Sequence, residues 1–231
     1  AVINAAGYVK VQDAAREPDL CMRENARAAE VLASACAARG LPFVTFSSDL
    51  VFDGRLGRAY VETDHPNPRC VYGESKALAE RAVLAACPEA LVVRTSAFFG
   101  PWDRYNFVFD ALQAMAAGKA FEASSDVVSP TYVPDLVHVV LDLLIDGARG
   151  TWHLTSGTAL SWHELAAAAA ARAGLDGSRA YRRAAGEAVR HTALTSERGI
   201  LLPPLDSALD RFLLDCACPW RPGEQLAAAA E

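Results

Sequence analysis

Tyr72-Gly-Glu-Ser-Lys76 places a phenol and an ammonium four residues apart. On a helix, positions i and i+4 share a face, so both groups can point into one site. An ammonium beside a phenol favours the phenolate, and Lys76 is expected to draw Tyr72 below the ordinary tyrosine pKa near ~10. That would make a proton donor usable near neutral pH. A hydroxyl pair, Ser47-Ser48, stands at the end of an upstream apolar run, with Ser48 24 residues before Tyr72 and Asp49 next in line. Taken singly, each feature has an ordinary reading. Y-x-x-x-K arises by chance in any two helical turns and can be a surface pair with a snorkelling lysine. A serine at a strand end is commonly a cap or turn residue.

The elements that must position these groups follow from periodicity and punctuation. Apolar positions recur at helical spacing over 18–39, and Gly40 stands as the residue just past the helix end. The continuous apolar run 41–46 reads as a buried strand. A polar loop with glycines and prolines covers 53–69. Residues 71–86 form the helix that carries Tyr72 and Lys76, and 90–94 the next strand. Strands alternating with helices over short links predict a parallel α/β sheet with right-handed crossovers. Ligands on such sheets bind beyond the carboxyl ends of the strands. Asn4, Ser47, Ser48, Thr95 and Ser96 all fall at those predicted ends.

Beyond Gly100 the pattern changes. Helices are predicted at 106–118, 134–147 and 206–216, and a strand at 150–155. A further helix at 161–173 has Ser161 as N-cap and Glu164 completing a capping box. The stretch 174–190 is polar and Arg-rich, and the alanine-rich tail 227–230 is expected to fray.

Composition narrows the function classes. With 231 residues, 52% of them hydrophobic, the chain can bury a sizeable core as one compact unit or two small lobes. A net charge of -6 argues against a nucleic-acid surface, which needs clustered Lys and Arg. No run of 18 apolar residues suggests a membrane span, and the opening residues lack the basic region of a signal peptide. The six cysteines, at 21, 36, 70, 87, 216 and 218, contain no C-x-x-C pair. They read as reduced, small apolar residues, with no metal site and a cytoplasmic setting. His65, His138, His153, His163 and His191 are scattered without ligand spacing and read as structural or surface residues.

Five ordered segments carry a family resemblance: Val2-Ile-Asn-Ala-Ala6, Phe46-Ser-Ser-Asp-Leu-Val-Phe-Asp-Gly54, Tyr72-Gly-Glu-Ser-Lys76, Val93-Arg-Thr-Ser96 and Ser129-Pro-Thr-Tyr-Val-Pro-Asp135. Together they resemble the extended short-chain dehydrogenase/reductase family, and within it the branch of dTDP-4-dehydrorhamnose reductase and its sugar-nucleotide relatives. The resemblance implies an incomplete Rossmann-like, doubly wound parallel sheet with a smaller C-terminal substrate lobe. Residues 1–100 would be the remaining part of the dinucleotide-binding domain. Residues 101–231 would be mainly substrate lobe, with segments returning to the sheet. The glycine-rich turn that holds a cofactor pyrophosphate at a helix N-terminus has no counterpart here. Two βαβ-sized steps of ~30 residues each are expected in front of Ala1. The chain is then expected to be inactive alone and to self-associate through the exposed sheet edge into a homo-oligomer.

The resemblance also implies roles. Tyr72 would donate a proton to a sugar C4 carbonyl as hydride arrives from NADPH or NADH, Lys76 would tune Tyr72 and hold the nicotinamide ribose, and Ser48 would hydrogen-bond the carbonyl oxygen. Asn4, Ala5, Ala6, Asn25, Thr95 and Ser96 would join Tyr72 and Lys76 around the cofactor. Asn25 reads equally as an exposed helical residue. Ser48, Asp49, Asn106, Phe107, Ser129, Pro130 and Thr131 would face a nucleotide-sugar substrate. Two departures affect specificity: Leu50 stands where the family usually has Tyr, and Ala97 where it commonly has Trp. Loss of both aromatic side chains predicts a keto-sugar other than dTDP-4-dehydrorhamnose. A non-catalytic sugar-nucleotide-binding module of the same fold and a sugar-nucleotide epimerase remain as alternatives.

Overall fold

The computed structural model describes residues 1–182 and 189–216. Cys218, the tail 227–230 and part of the polar stretch 174–190 lie outside the described residues. The chain opens with β1 (Val2–Asn4) and reaches α1 (Pro18–Met22), a π-helical turn (Arg23–Arg27) and α2 (Ala28–Ala37), which run on as one rod. Then come β2 (Phe43–Ser48), a 3₁₀ turn (Asp49–Val51), α3 (Val71–Ala86) and β3 (Leu91–Thr95). The second half holds β4 (Phe98–Phe99), α4 (Phe107–Ala116), β5 (Phe121–Ala123), β6 (Val127–Val128) and β7 (Thr131–Tyr132). It continues with α5 (Val133–Ile145), β8 (Gly150–His153), β9 (Leu160–Ser161), α6 (Trp162–Arg172), β10 (Ala180–Arg182) and α7 (Leu205–Asp215).

The main sheet is parallel throughout, in the order β1-β2-β3-β8. Its strands are covered on both faces, which is why β2 and β3 read as continuous apolar runs. Alternation along each strand sorts the side chains. Phe43 and Val92 pack with Ala29, Ala33 and Cys36 of α2 and Ala79 and Val83 of α3. Val44, Leu91 and Val93 pack on the other face against Leu136, Val140 and Leu143 of α5. Each such burial contributes roughly 1.5–3 kcal/mol. A separate core joins Phe99, Leu112, Met115, Leu165, Leu209 and Phe212, where α4, α6 and α7 meet. Ionic contacts fasten α7: Arg211 Nη2 donates to Asp135 Oδ2 at 2.7 Å and Arg172 Nη1 to Asp210 Oδ1 at 2.6 Å.

The capping box at α6 forms as the sequence predicts. Glu164 N donates to Ser161 Oγ at 3.2 Å, and Ser161 N to Glu164 Oε2 at 2.8 Å. Gly40 takes the left-handed conformation, with φ of 61°, that ends the preceding rod. Two features differ from the sequence reading. The predicted helix over 18–39 contains the π turn, whose extra residue per turn rotates Asn25 and Ala26 into the interior. The stretch 174–190 contains β10, which pairs with β5 and is too short to give a periodic signal. No helix among the described residues is long and apolar enough to cross a membrane.

Candidate active site

Three loops leave the carboxyl ends of β1, β2 and β3, and beside them lies a cavity of about 570 Å³. Ser47, Ser48, Asp49 and Leu50 line it from the end of β2, Thr95, Ser96, Ala97 and Phe98 from the end of β3, and Tyr72 from α3. Ser124, Asp126, Val128 and Trp162 close it from the second core's side.

Ser48 caps the 3₁₀ turn: its Oγ accepts from Leu50 N at 3.1 Å and donates to Asp49 Oδ1 at 3.0 Å. Thr192 Oγ1 donates to the other carboxylate oxygen, Oδ2, at 2.6 Å. Burial pushes the Asp49 carboxyl above its usual range, and hydroxyls of Thr192, Ser96 and Ser48 offset part of that rise. Ser47 and Ser96 are 7% and 4% exposed, and neither hydroxyl has a hydrogen-bond partner in good geometry. Buried hydroxyls without partners are uncommon. On the cavity wall such hydroxyls are available to a polar ligand.

Tyr72 stands in the first turn of α3, and Lys76 follows one turn later. The Lys76 ammonium lies 5.8 Å from the Tyr72 ring centroid and donates to Phe46 O at 3.3 Å. The expected pull of Lys76 on the phenol is not what the geometry produces. Burial pushes Tyr72 well above the ordinary tyrosine range, with the Asp49 charge adding to the rise. Burial also lowers Lys76, the first cause of its shift. Desolvation penalises each group's charged form more than their mutual attraction favours it. Tyr72 is therefore a phenol throughout the neutral range.

Gly73 explains how α3 reaches the site. A Cβ there would lie 2.1 Å from Leu50 O, so only glycine lets the helix rest on the turn that carries Ser48. Asn25 holds the same helix from below. Its Oδ1 accepts from Tyr8 N at 2.8 Å, its Nδ2 donates to Ser75 Oγ at 2.9 Å, and Ser75 Oγ donates to Tyr72 O at 2.7 Å. The exposed-helix reading of Asn25 is thus corrected: at 3% exposure it is a buried strut, turned inward by the π turn. Asn4 Oδ1 accepts from Ala6 N at 3.2 Å and turns the chain after β1, which leaves Ala5 and Ala6 exposed at the strand end.

Other residues proposed from sequence stand outside the wall. Asn106 is the N-cap of α4, accepting from Phe109 N at 3.0 Å and donating to Gly100 O at 3.1 Å. Phe107 packs edge-on against Phe121 and Trp162. Ser129 exchanges hydrogen bonds with Leu194 N and O, and Pro130 is buried beside it. Thr131 accepts from Thr95 Oγ1 at 3.1 Å and so braces a lining residue. Arg94 turns into the core, bidentate to Glu80 at 2.7 and 2.8 Å. His153 Nε2 faces Arg94 Nη1 at 3.2 Å while Nδ1 faces Thr195 O at 2.9 Å. That pairing fits a neutral ring with hydrogen on Nδ1, and burial, then Arg94, lowers its pKa.

The sequence reading missed Val9, Val11, Gln12, Phe98, Ser124, Asp126, Val128, Trp162, Arg190 and Thr192 on the wall. Arg190 is the one guanidinium among the described lining residues, and it pairs with Asp126 at 2.9 Å. Gly54, with φ of 72°, lets that segment pass: a Cβ there would meet Arg190 Cβ and His191 N at 3.0 Å. Thr192 lies 143 residues from Asp49, a separation for which no local pattern carries a signal.

Comparison with known proteins places this arrangement. The dTDP-4-dehydrorhamnose reductase of Aggregatibacter actinomycetemcomitans is 34% identical over 174 residues, covering 72% of this chain and 59% of that protein. The Mycobacterium tuberculosis (strain H37Rv) enzyme of the same name is 40% identical over 158 residues, covering 64% and 51%. The chain thus spans little more than half the length of these relatives. Among solved structures, the dTDP-4-dehydrorhamnose reductase of Bacillus anthracis in complex with NADP superposes with a TM-score of 0.84 at 28% identity, covering 92% of this chain and 78% of that one. The family described as RmlD substrate binding domain matches residues 1–199. A match of that extent takes in the whole cavity wall, and the chain belongs to the RmlD substrate binding domain family.

Proposed function

We propose that this chain carries the carbonyl-reducing site of an NAD(P)H-dependent sugar-nucleotide reductase, acting on the 4-keto group of a nucleotide-activated deoxysugar in the cytoplasm. One observation carries the reading. The buried Ser47 hydroxyl, which has no partner, and the Ser96 hydroxyl, which bears on Asp49, stand with Ser48 in the cavity that Tyr72 also lines, beyond the carboxyl ends of parallel strands.

The residues present fit a nicotinamide dinucleotide. Ala5 and Ala6 leave backbone open at the end of β1, Thr95 and Ser96 offer hydroxyls at the end of β3, and Lys76 supplies an ammonium one turn beyond Tyr72. When bound, such a dinucleotide supplies the hydride. The chain's own groups handle the oxygen. Tyr72, kept protonated by burial, donates a proton to the carbonyl oxygen as charge develops on it. Ser48 holds that oxygen as a hydrogen-bond donor. Lys76, at 5.8 Å from the ring, favours the phenolate left behind. Leu50 and Ala97 shape the wall nearest these groups. We infer that they select a keto-sugar different from dTDP-4-dehydrorhamnose.

The test incubates the purified chain with NADPH or NADH and a panel of dTDP-4-keto-6-deoxysugars, following loss of the reduced nicotinamide and identifying the sugar by NMR. Sugar-dependent oxidation that Tyr72→Phe abolishes is the expected result once the pyrophosphate-binding turn is supplied in front of Ala1, with little or none from the chain alone. Saturable sugar-nucleotide binding without turnover would instead identify a non-catalytic binding module, and interconversion of sugar epimers without net oxidation an epimerase.

A further inference from the structure

The Ser48 hydroxyl has one hydrogen and two lone pairs. Leu50 N–H occupies one lone pair at 3.1 Å, and the hydrogen goes to Asp49 Oδ1 at 3.0 Å. In that arrangement Ser48 can only accept from a group in the cavity. A carbonyl oxygen also only accepts, so the two would meet lone pair to lone pair. Ser48 can hold a carbonyl only if its hydrogen is released from Asp49.

Asp49 decides this. As a carboxylate it takes the Ser48 hydrogen. As a carboxylic acid it donates its own hydrogen to Ser48 Oγ and fills the second lone pair, which leaves the Ser48 hydrogen directed into the cavity. Thr192 settles where the acid proton sits. Its hydroxyl already donates to Oδ2 at 2.6 Å, so the proton belongs on Oδ1, facing Ser48. We propose that Asp49 is a positioning residue whose protonation state sets the direction of the Ser48 hydroxyl, with the neutral acid as the working form. The kinetic consequence rests on the reductase reading; the hydrogen-bond switch does not.

The surroundings favour a neutral acid. Asp49 is 5% exposed, and the groups that bear on it from the end of β3 and from the stretch 190–192 that passes over Gly54 are the hydroxyls of Ser96 and Thr192. From α3 it faces the Tyr72 phenol, which carries no positive charge to hold a carboxylate. Across the cavity Arg190 is neutralised by Asp126 at 2.9 Å, and Lys76 is turned to Phe46 O. No unpaired cation among the described residues stands ready to hold a carboxylate at this position.

Two measurements test the switch, the first on the 231-residue chain and the second on that chain with the pyrophosphate-binding turn supplied in front of Ala1. In the first, the Asp49 carboxyl carbon is titrated by NMR, with Asp49→Asn assigning the signal. The expected midpoint lies above the ordinary aspartate value near ~3.9, and it rises further in Ser48→Ala and in Thr192→Val, since each removes a hydrogen bond to the charged form. A midpoint at or below the ordinary value, or one that Ser48→Ala leaves in place, overturns the proposal. In the second, kcat/KM for NADPH-dependent reduction of a dTDP-4-keto-6-deoxysugar is followed against pH. It should fall as pH rises through the measured midpoint. Asp49→Ala removes both the acceptor that traps the Ser48 hydrogen and the acid that orients it, so the pH limb should vanish and kcat should fall by less than the ~10²-fold cost of a lost oxyanion donor. Asp49→Asn should recover part of that loss and flatten the pH limb, because Thr192 holds the amide oxygen and leaves its N–H for Ser48. Equal losses in the two variants with an unchanged pH profile would reduce Asp49 to a packing residue. Absence of sugar-dependent turnover even with the pyrophosphate-binding turn supplied would sink the reductase reading, and the titration would still decide the switch.

Discussion

Ser48, Asp49 and Tyr72 show how one residue's burial sets another's chemistry. Tyr72 keeps its proton because the cavity wall excludes water, and the carboxyl of Asp49 is pushed up for the same reason. On the proposed reading, replacing Tyr72 by Phe removes a proton donor used only as charge develops. It should lower kcat by about 10²–10⁴-fold while sugar-nucleotide affinity, read by calorimetry, hardly moves. Asp49 also writes a signature into stability. Its folded-state pKa lies above its unfolded value, so its contribution is full below the unfolded pKa and is lost as pH rises through the folded one. The sign is opposite to that of Asp64, which Arg58 holds down to about 2 and which stabilises the fold above its unfolded value. Urea midpoints for wild type and Asp49→Asn, taken across the acid-to-neutral range, should therefore diverge as pH rises, with wild type losing ground. Parallel curves would contradict a raised Asp49. The phenol–ammonium spacing was legible in the sequence, but the direction of the Tyr72 shift was not. Spacing shows which groups approach; only the packing around them shows how much water each has lost.

Among the elements, α3 carries the most information. Its length, its Tyr72 and Lys76 and its parallel-sheet context were readable from periodicity. The reason for Gly73 was not, because it depends on the turn that α3 touches. Gly73→Ala would drive a Cβ into Leu50 O, a backbone atom with no room to yield at 2.1 Å. Overpacking of this kind costs about 1–3 kcal/mol, and here it would also part Tyr72 from Ser48. Chemical denaturation and turnover should both register the change, with turnover falling further than stability accounts for. The far end of α3 is tied to β3 by Glu80 and Arg94, 4% exposed each. Glu80→Gln leaves the buried guanidinium without its carboxylate and should cost roughly 3–5 kcal/mol in urea unfolding. A loss under ~1 kcal/mol, the level of a surface pair, would show that Arg94 finds another partner. The π turn at Arg23–Arg27 had no sequence signature either. Its effect is to bring Asn25 into contact with Tyr8 and Ser75, and that contact exists only after α3 has packed.

At the scale of the whole molecule, the cavity lies between the parallel sheet and the core formed by α4, α6 and α7, with wall residues from both sides. Substrate choice belongs to this scale, since Leu50 and Ala97 contribute shape while Trp162, Asp126 and Arg190 face them from the other side. Reduction rates for several dTDP-4-keto-6-deoxysugars should favour a sugar other than dTDP-4-dehydrorhamnose in wild type, and Leu50→Tyr should move the preference toward it. Ala97 has φ of 47°, a conformation whose Cβ cost alanine already carries; Ala97→Trp adds a bulky side chain there and should also lower stability. If wild type already prefers dTDP-4-dehydrorhamnose and Leu50→Tyr leaves the ranking unchanged, the wall does not discriminate as argued.

The sequence alone determined the parallel α/β sheet and the position of Ser47, Ser48, Thr95 and Ser96 at its strand ends. Those features rest on local chemistry: apolar runs of strand length, helical spacing, capping residues and the glycines that end a helix. It also determined that Tyr72 and Lys76 share a helix, because i and i+4 neighbours meet wherever a helix forms. The tertiary structure alone decided the remainder of the wall. Thr192 reaches Asp49 across 143 residues and Arg190 reaches Asp126 across 64. It likewise decided that Asn106, Ser129 and Thr131 bond to the protein's own groups rather than line the cavity. Long-range partners and local dielectric are properties of chain segments brought together by folding, and neither is written in the spacing of any one segment.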